Sequence, residues 1–434
     1  MKKKGKMSKS ISISLTIVFM LGIVGLVGQA IAAEQVTINL WTQYNDPQDR
    51  KAIEYIINVF EKENPEVKIG HRIMPNYESD QMIRTVFAGG NPPDISLSQD
   101  PYTMSKTFEA GKIMDLTKWY AQYGDRFPES AKGVSRKEGK YFGVPDTMLT
   151  AAHMFYNKKL AKSLGVTEPQ NYTEFLEVCE KAKNQGVIPL AFGNKEGWTG
   201  GTLYQMYLFE TVGLKGINDM IDRKDPEQGP YFTDPGFIRA AKYFNDLHEK
   251  GYLSEGVAIT SFDASKMEYL GGKALFFFTG SWYSSFDFPP DFEWGFFRFP
   301  HIIGELGYNR DEGLVAYLGK MQIATTTSHP ELCLKFLEVF SRPDVMHDSF
   351  FEMGKYLPAV AGAVKPEELT EFQEAMVAFA RTNTGSCGFM EPELPPAVGM
   401  GQVWTGLTAI SADEITPLEF CESVEKVYKK ELVR

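Results

Sequence analysis

Residues 35–44, QVTINLWTQY, alternate apolar and polar side chains as a half-buried strand does. DPQDRKAIEYIINVFEKENP (46–65) follows with Ile53, Ile56, Ile57 and Phe60 on one helical face and Asn64-Pro65 as its stop. EVKIGHRIMP (66–75) reads as a second strand, ESDQMIRTVFAGGN (78–91) as a second helix halted by Gly89-Gly90, and PPDISLSQD (92–100) as a third strand. Strand, helix, strand, helix, strand at this pace makes βαβ units, a parallel sheet and an α/β fold. In such sheets ligands gather beyond the carboxyl ends of the strands. Trp41, Thr42, Gln43 and Tyr44 follow the first strand, and Ser98, Gln99 and Asp100 follow the third.

Further along, ALFFFTGSWYSSFDF (274–288) opens with an unbroken apolar run, the mark of a strand buried on both faces. Thr279-Gly280-Ser281 then supplies a turn and a helix N-cap, after which Trp282 and Tyr283 present aromatic rings. Between these landmarks, GKYFGVPDTMLTAAHMFYNKKLAKSLG (139–165) reads as a hairpin-like segment, an extended stretch and a helix. NYTEFLEVCEKAKNQG (171–186), with Thr173 as its cap, and TDPGFIRAAKYFNDLHEKGYL (233–253) are amphipathic helices, and WGFFRFP (294–300) restores strand character before helices close the chain. β-rich and helical blocks alternate twice. At 434 residues that pattern predicts two domains exchanging the chain more than once, with a hinge between them.

The N-terminus sets the compartment. Five lysines lie within residues 1–9, no charge occurs from Ser10 to Ala33, and Ala30-Ile31-Ala32 offers a small-x-small cleavage site. Residues 1–32 are therefore expected to be a cleavable secretory signal, the alternative being a retained anchor. No cysteine follows the apolar run for lipid attachment, so a soluble periplasmic protein is expected. Loss of that leader takes the net charge from −11 to −16, which removes any electrostatic reason to bind nucleic acid or anionic lipid. Cys179, Cys333, Cys387 and Cys421 are too scattered for a zinc ribbon or a small disulfide scaffold, and their pairing is left open.

These pieces together resemble the extracellular solute-binding proteins of ABC importers, in the carbohydrate family similar to maltose-binding protein. The resemblance rests on VTINLWTQY with its helix, GNPPDISLSQD with FEAGKIMDL (108–116), and YFGVPDTMLTAAHMFYNKKLAKSLG. GKALFFFTGSW, SHPELCLKFLEVFSRPDVM and GKYLPAV (354–360) complete the set, in family order across nearly the whole mature chain. It implies two α/β lobes joined by several hinge crossings, with sugar held in the cleft between them and delivered to a membrane permease. We assign 33–145 plus 275–325 to the N-terminal lobe and 146–274 plus 326–434 to the C-terminal lobe. A monomer without cofactor, metal or catalytic residues is expected.

A pyranose offers a C–H face that stacks on an aromatic ring and an edge of hydroxyls suited to carboxylates and amides. The resemblance places Trp282 in the cleft, together with Trp41, Gln43 and Tyr44 from the first loop and Gln99 and Asp100 from the third. Asp100 reads equally as a carboxylate for two hydroxyls or as the N-cap of the helix at Pro101. Asp146, in GVPDTM, falls beside the first crossing. Trp198 in FGNKEGWTGG and Trp404 in GMGQVWTG sit in glycine-rich loops, where core packing explains a tryptophan poorly. The loop LSQDPY (97–102) lacks the basic residue, and position 43 the charge, that some relatives carry, which leaves the particular sugar open.

Three rival readings compete. A secreted glycosidase needs a carboxylate pair on a barrel or sandwich that this pattern lacks. Ferric-ion binding would use tyrosine pairs, and none are adjacent here, while the six histidines are dispersed. A polyamine or peptide ligand would exploit the acidic charge.

Overall fold

The computed structural model describes residues 35–75, 79–308, 310–317 and 319–433. The expected leader, 1–32, lies outside them.

The chain begins with β1 (Val36–Thr42), α1 (Pro47–Glu63), β2 (Val67–Ile73), α2 (Ser79–Gly89), β3 (Ile95–Ser98) and α3 (Pro101–Glu109). β1 pairs in parallel with both β2 and β3, with Leu40 opposite Ile95. Alternation along β1 sends Ile38 and Leu40 into the core, and α1 covers them with Ala52, Ile53, Ile56 and Phe60. A small hairpin, β4 (Arg136–Lys137) with β5 (Lys140–Tyr141), precedes β6 (Val144–Pro145) at the edge of this sheet.

The chain then crosses to a second lobe through β7 (Thr147–Thr150) and β8 (His153–Asn157), later adding β9 (Ile188–Ala191), β10 (Ala274–Phe278), β11 (Trp294–Arg298) and β12 (Glu312–Ala316). β10, buried at every position, lies between β8, antiparallel, and β9, parallel. Phe155, Phe277 and Tyr283 lie on one side of this sheet, and Leu190, Phe276 and Phe278 on the other. The apolar run that predicted a doubly buried strand is one.

β13 (Lys320–Ile323) returns to the first sheet between β3 and β6, giving the order β2-β1-β3-β13-β6. The helix Pro330–Phe340 follows it there and sets Phe336 edge-on to Phe60, ring centroids 5.3 Å apart. β14 (Leu357–Pro358) pairs with β7, and β15 (Gly385–Cys387) with β12, in a small sheet β14-β7-β12-β15 that bridges the lobes. The chain thus crosses three times, near residues 146, 317–319 and 358–366.

Strand pairing corrects the expected lobe boundaries. Residues 274–316 belong to the second lobe through β8–β10 pairing, and 320–364 to the first through β13 and Phe336. An apolar strand or an amphipathic helix fits either lobe, and only its long-range partner decides. The cap of the helix Tyr172–Asn184 is likewise Asn171, whose Oδ1 accepts from the Glu174 N–H at 3.1 Å, rather than Thr173. All four cysteines are free thiols.

Candidate functional site

The first wall of the cleft is built where β1 and β3 end and α2 and α3 begin. Gln43 is buried, its amide oxygen accepting from the Ser79 hydroxyl while Nε2 has no partner. The Ser98 hydroxyl and the Gln99 N–H both donate to Oδ1 of Asp80, at 2.9 and 3.0 Å. Burial, followed by the nearby Asp100 charge, raises the Asp80 carboxyl to about 6. Of the two readings of Asp100, the structure has the cap: Oδ1 accepts from the Thr103 N–H at 2.9 Å. Its Oδ2 also pairs with Arg84 at 2.7 Å, so the cation missing from LSQDPY arrives from α2. Trp41 is half-buried on the opposite sheet face from Leu40, with the Arg72 guanidinium 4.6 Å above its ring.

The floor is the hinge. Asp146 links all three crossings through its backbone: its N–H donates to Gly319 at 3.1 Å and its carbonyl accepts from Ala359 at 2.8 Å. Its carboxylate accepts from Thr147 N–H at 2.5 Å and from the Tyr44 hydroxyl at 2.9 Å. Burial nevertheless raises it to about 6. A Cβ on Gly319 would overlap this carboxylate. Tyr44, expected as a sugar platform, is 7% exposed and packed edge-on to Phe350, so it braces Asp146 instead.

The second wall is aromatic. Trp198 opens the helix Trp198–Thr211 after Gly197, whose φ of 80° suits glycine. Trp282 follows Gly280 in a short 3-10 turn, Ser281–Ser285. Ser281 does not cap that turn with its side chain, because its hydroxyl accepts from Thr150 N–H at 3.0 Å. The Trp198 and Trp282 rings lie 5.7 Å apart at 60°, and Phe389 lies 6.3 Å beyond Trp282. Trp404 donates through Nε1 to Glu391 at 3.4 Å, and a Cβ on Gly201 would overlap that same carboxylate. Trp198, Trp282 and Trp404 of the second lobe thus share one wall, all half-buried, while Trp41 stands apart on the first.

Sequence reasoning missed Asp80, Arg84, Lys320, Phe389, Glu391 and Glu393. Lys320 stands alone as a charge in an apolar strand, and EPELPP (391–396) places two acids in a proline-rich turn before a glycine loop. Both were available signals. The short helix Met390–Glu393 packs against α3, so the walls meet. Burial raises Glu391 to about 7, and it also raises Glu393, which keeps solvent contact while enclosed by the cleft. A separate cavity of about 510 Å³ is lined by Trp294, Phe296, Phe372 and Glu371 among others. It includes none of the four expected tryptophans or the cleft carboxylates, and the chemistry places the candidate site in the cleft.

Two lobes face each other across three chain crossings, one wall polar and the other aromatic, the architecture of a binding protein with its site between lobes. The chain matches the bacterial extracellular solute-binding protein family over residues 56–377 and belongs to it. It is 24% identical over 344 residues to the multiple sugar-binding protein of Streptococcus mutans, covering 75% of this chain and 79% of that one. It is 26% identical over 239 residues to a probable sugar-binding periplasmic protein of Mesorhizobium japonicum, covering 53% and 55% of the two. In fold it is similar to a chitin oligosaccharide binding protein, with a TM-score of 0.83 at 19% identity over 92% of this chain and 100% of that one. A maltose/maltodextrin-binding domain from Bdellovibrio bacteriovorus bound to maltotriose gives 0.74 at 16%, over the same shares.

Proposed function

We propose that this protein is the substrate-binding component of an ABC-type sugar importer. It captures a neutral mono- or oligosaccharide between its lobes and hands it, as a non-catalytic monomer, to a membrane permease. Export by a cleaved signal would place it in the periplasm. The observation that carries this reading is the wall of Trp198, Trp282 and Trp404 beside Glu391, facing the polar groups of the first lobe. Rings bury the sugar's C–H face, carboxylates and amides take its hydroxyls, and contacts to both walls favour the closed state. Sugar-binding relatives and structural neighbours support the same ligand class.

A thermal-shift screen tests this with raffinose, stachyose, maltotriose, chitin oligosaccharides and simple hexoses, and with a polyamine, a peptide and ferric ion as controls. A sugar at a hundredfold excess over its dissociation constant adds about 2.7 kcal/mol to stability. We expect one sugar class to raise the melting temperature and Trp282→Ala to cut that shift by about half or more. A response to a control alone overturns the sugar assignment.

A further inference from the structure

Lys320 is 2% exposed, and among the described residues its ammonium makes no hydrogen bond and no ion pair. Its Nζ keeps some accessible surface, yet holding a cation with so little solvent and no partner is costly. Along β13, Met321 and Ile323 face the first-lobe core, which leaves Lys320 and Gln322 on the opposite face. Gln322 donates there through Nε2 to the Ser96 hydroxyl at 3.0 Å, while its Oε1 has no partner among the described residues. Lys320 lies opposite Ser98 on one side and Pro145 on the other, one residue from Gly319 at the floor of the cleft.

Four carboxylates act on it: Glu393, the foremost, from the second lobe, then Asp146, Asp80 and Asp100 from its own. The three first-lobe acids already accept hydrogen bonds inside their lobe, from Thr147 and Tyr44, from Ser98 and Gln99, and from Thr103 and Arg84. Among the described residues, none of the acceptors at this pole bonds the three ammonium donors. A cationic solute would meet an unpaired like charge there. An anionic one would meet four acids.

We propose that Lys320 is a specificity-determining contact of the cleft, donating to hydroxyl or ring oxygens of a neutral sugar whose far side reaches Glu393. This rests on the sugar-binding reading above and extends it to the end of the site beside Asp146 and Tyr44.

The test is Lys320→Met, which keeps the length of the stem and removes the charge. Ligand-free melting temperature and affinity for the sugar panel are measured in parallel, by thermal shift and titration calorimetry. The two readouts are expected to diverge: an unchanged or higher melting temperature without ligand, and affinity for the bound sugar at least about tenfold weaker, since bonds to charged groups are the stronger kind. Glu393→Gln, at an exposed position, is expected to weaken the same sugar without lowering stability. A lower ligand-free melting temperature with unchanged sugar affinity makes Lys320 a structural counter-ion and overturns the inference while leaving the sugar reading standing. If no sugar binds the wild-type protein, the reading falls and the inference falls with it.

Discussion

Asp49 is the residue at which the effect of burial on a carboxylate can be read most simply. It lies on α1, 8% exposed, hydrogen-bonded to Tyr356, and burial raises its carboxyl to about 8, with the Asp46 charge adding to the shift. The folded chain therefore holds a proton there between about pH 4 and 8 that the unfolded chain releases, so stability falls as pH rises through that window. Asp49→Asn mimics the protonated form, and we expect it to flatten the decline of melting temperature between pH 5 and 8. A slope equal to wild type refutes this assignment. Trp282→Ala should weaken sugar binding by about tenfold or more, as loss of an aromatic anchor does. At this scale the turns that carry Trp198, Trp282 and Trp404 were legible, whereas the grouping of the three rings on one wall was not, since it depends on how distant segments pack. Asp100 was half legible: its capping geometry is encoded locally, whereas the Arg84 pair depends on how α2 lies against β3.

Among the elements, the helix Trp198–Thr211 shows how glycine shapes the aromatic wall. Gly200 lets the Asn194 side chain reach its N–H at 2.8 Å, and Gly201 leaves room for Glu391 and Trp404. Gly201→Ala should drive its methyl into the Glu391 carboxylate and cost about 1–3 kcal/mol, as overpacking of a filled site does. Chemical denaturation measures this directly, with Gly186→Ala as a control in which only backbone strain at φ 74° enters, since the added Cβ meets nothing within 4 Å. Elements were the most legible level of the fold. β1, α1 and β10 all follow from periodicity, because burial on one face or two leaves its period in the sequence. Their assignment to lobes was not legible, since β10 and the helix Pro330–Phe340 carry apolar faces that either core could accept.

For the whole molecule, Asp146 and Gly319 tie the crossings between the lobes together. A methyl at Gly319 cannot coexist with the Asp146 carboxylate in its present place, so Gly319→Ala should displace the crossings and favour open lobes. Small-angle scattering should then show a larger radius of gyration with saturating sugar than wild type shows, and affinity should drop by about tenfold, the effect of 1.4 kcal/mol. By contrast, Lys266 reaches Asp46 across the lobes at 4.0 Å from a half-exposed partner. Such surface pairs are worth about 0–1 kcal/mol, so Lys266→Met should change sugar affinity less than about fivefold. The three crossings also have a consequence for biogenesis. The first lobe needs β13 and the helix Pro330–Phe340 to complete its sheet and core, and the second needs the C-terminal helices after residue 366. Neither half of the nascent chain contains a whole lobe, so no single scission releases one intact. During synthesis the leading segment stays without its closing strand until residues beyond 320 emerge, so the first lobe is completed only after most of the chain has been made.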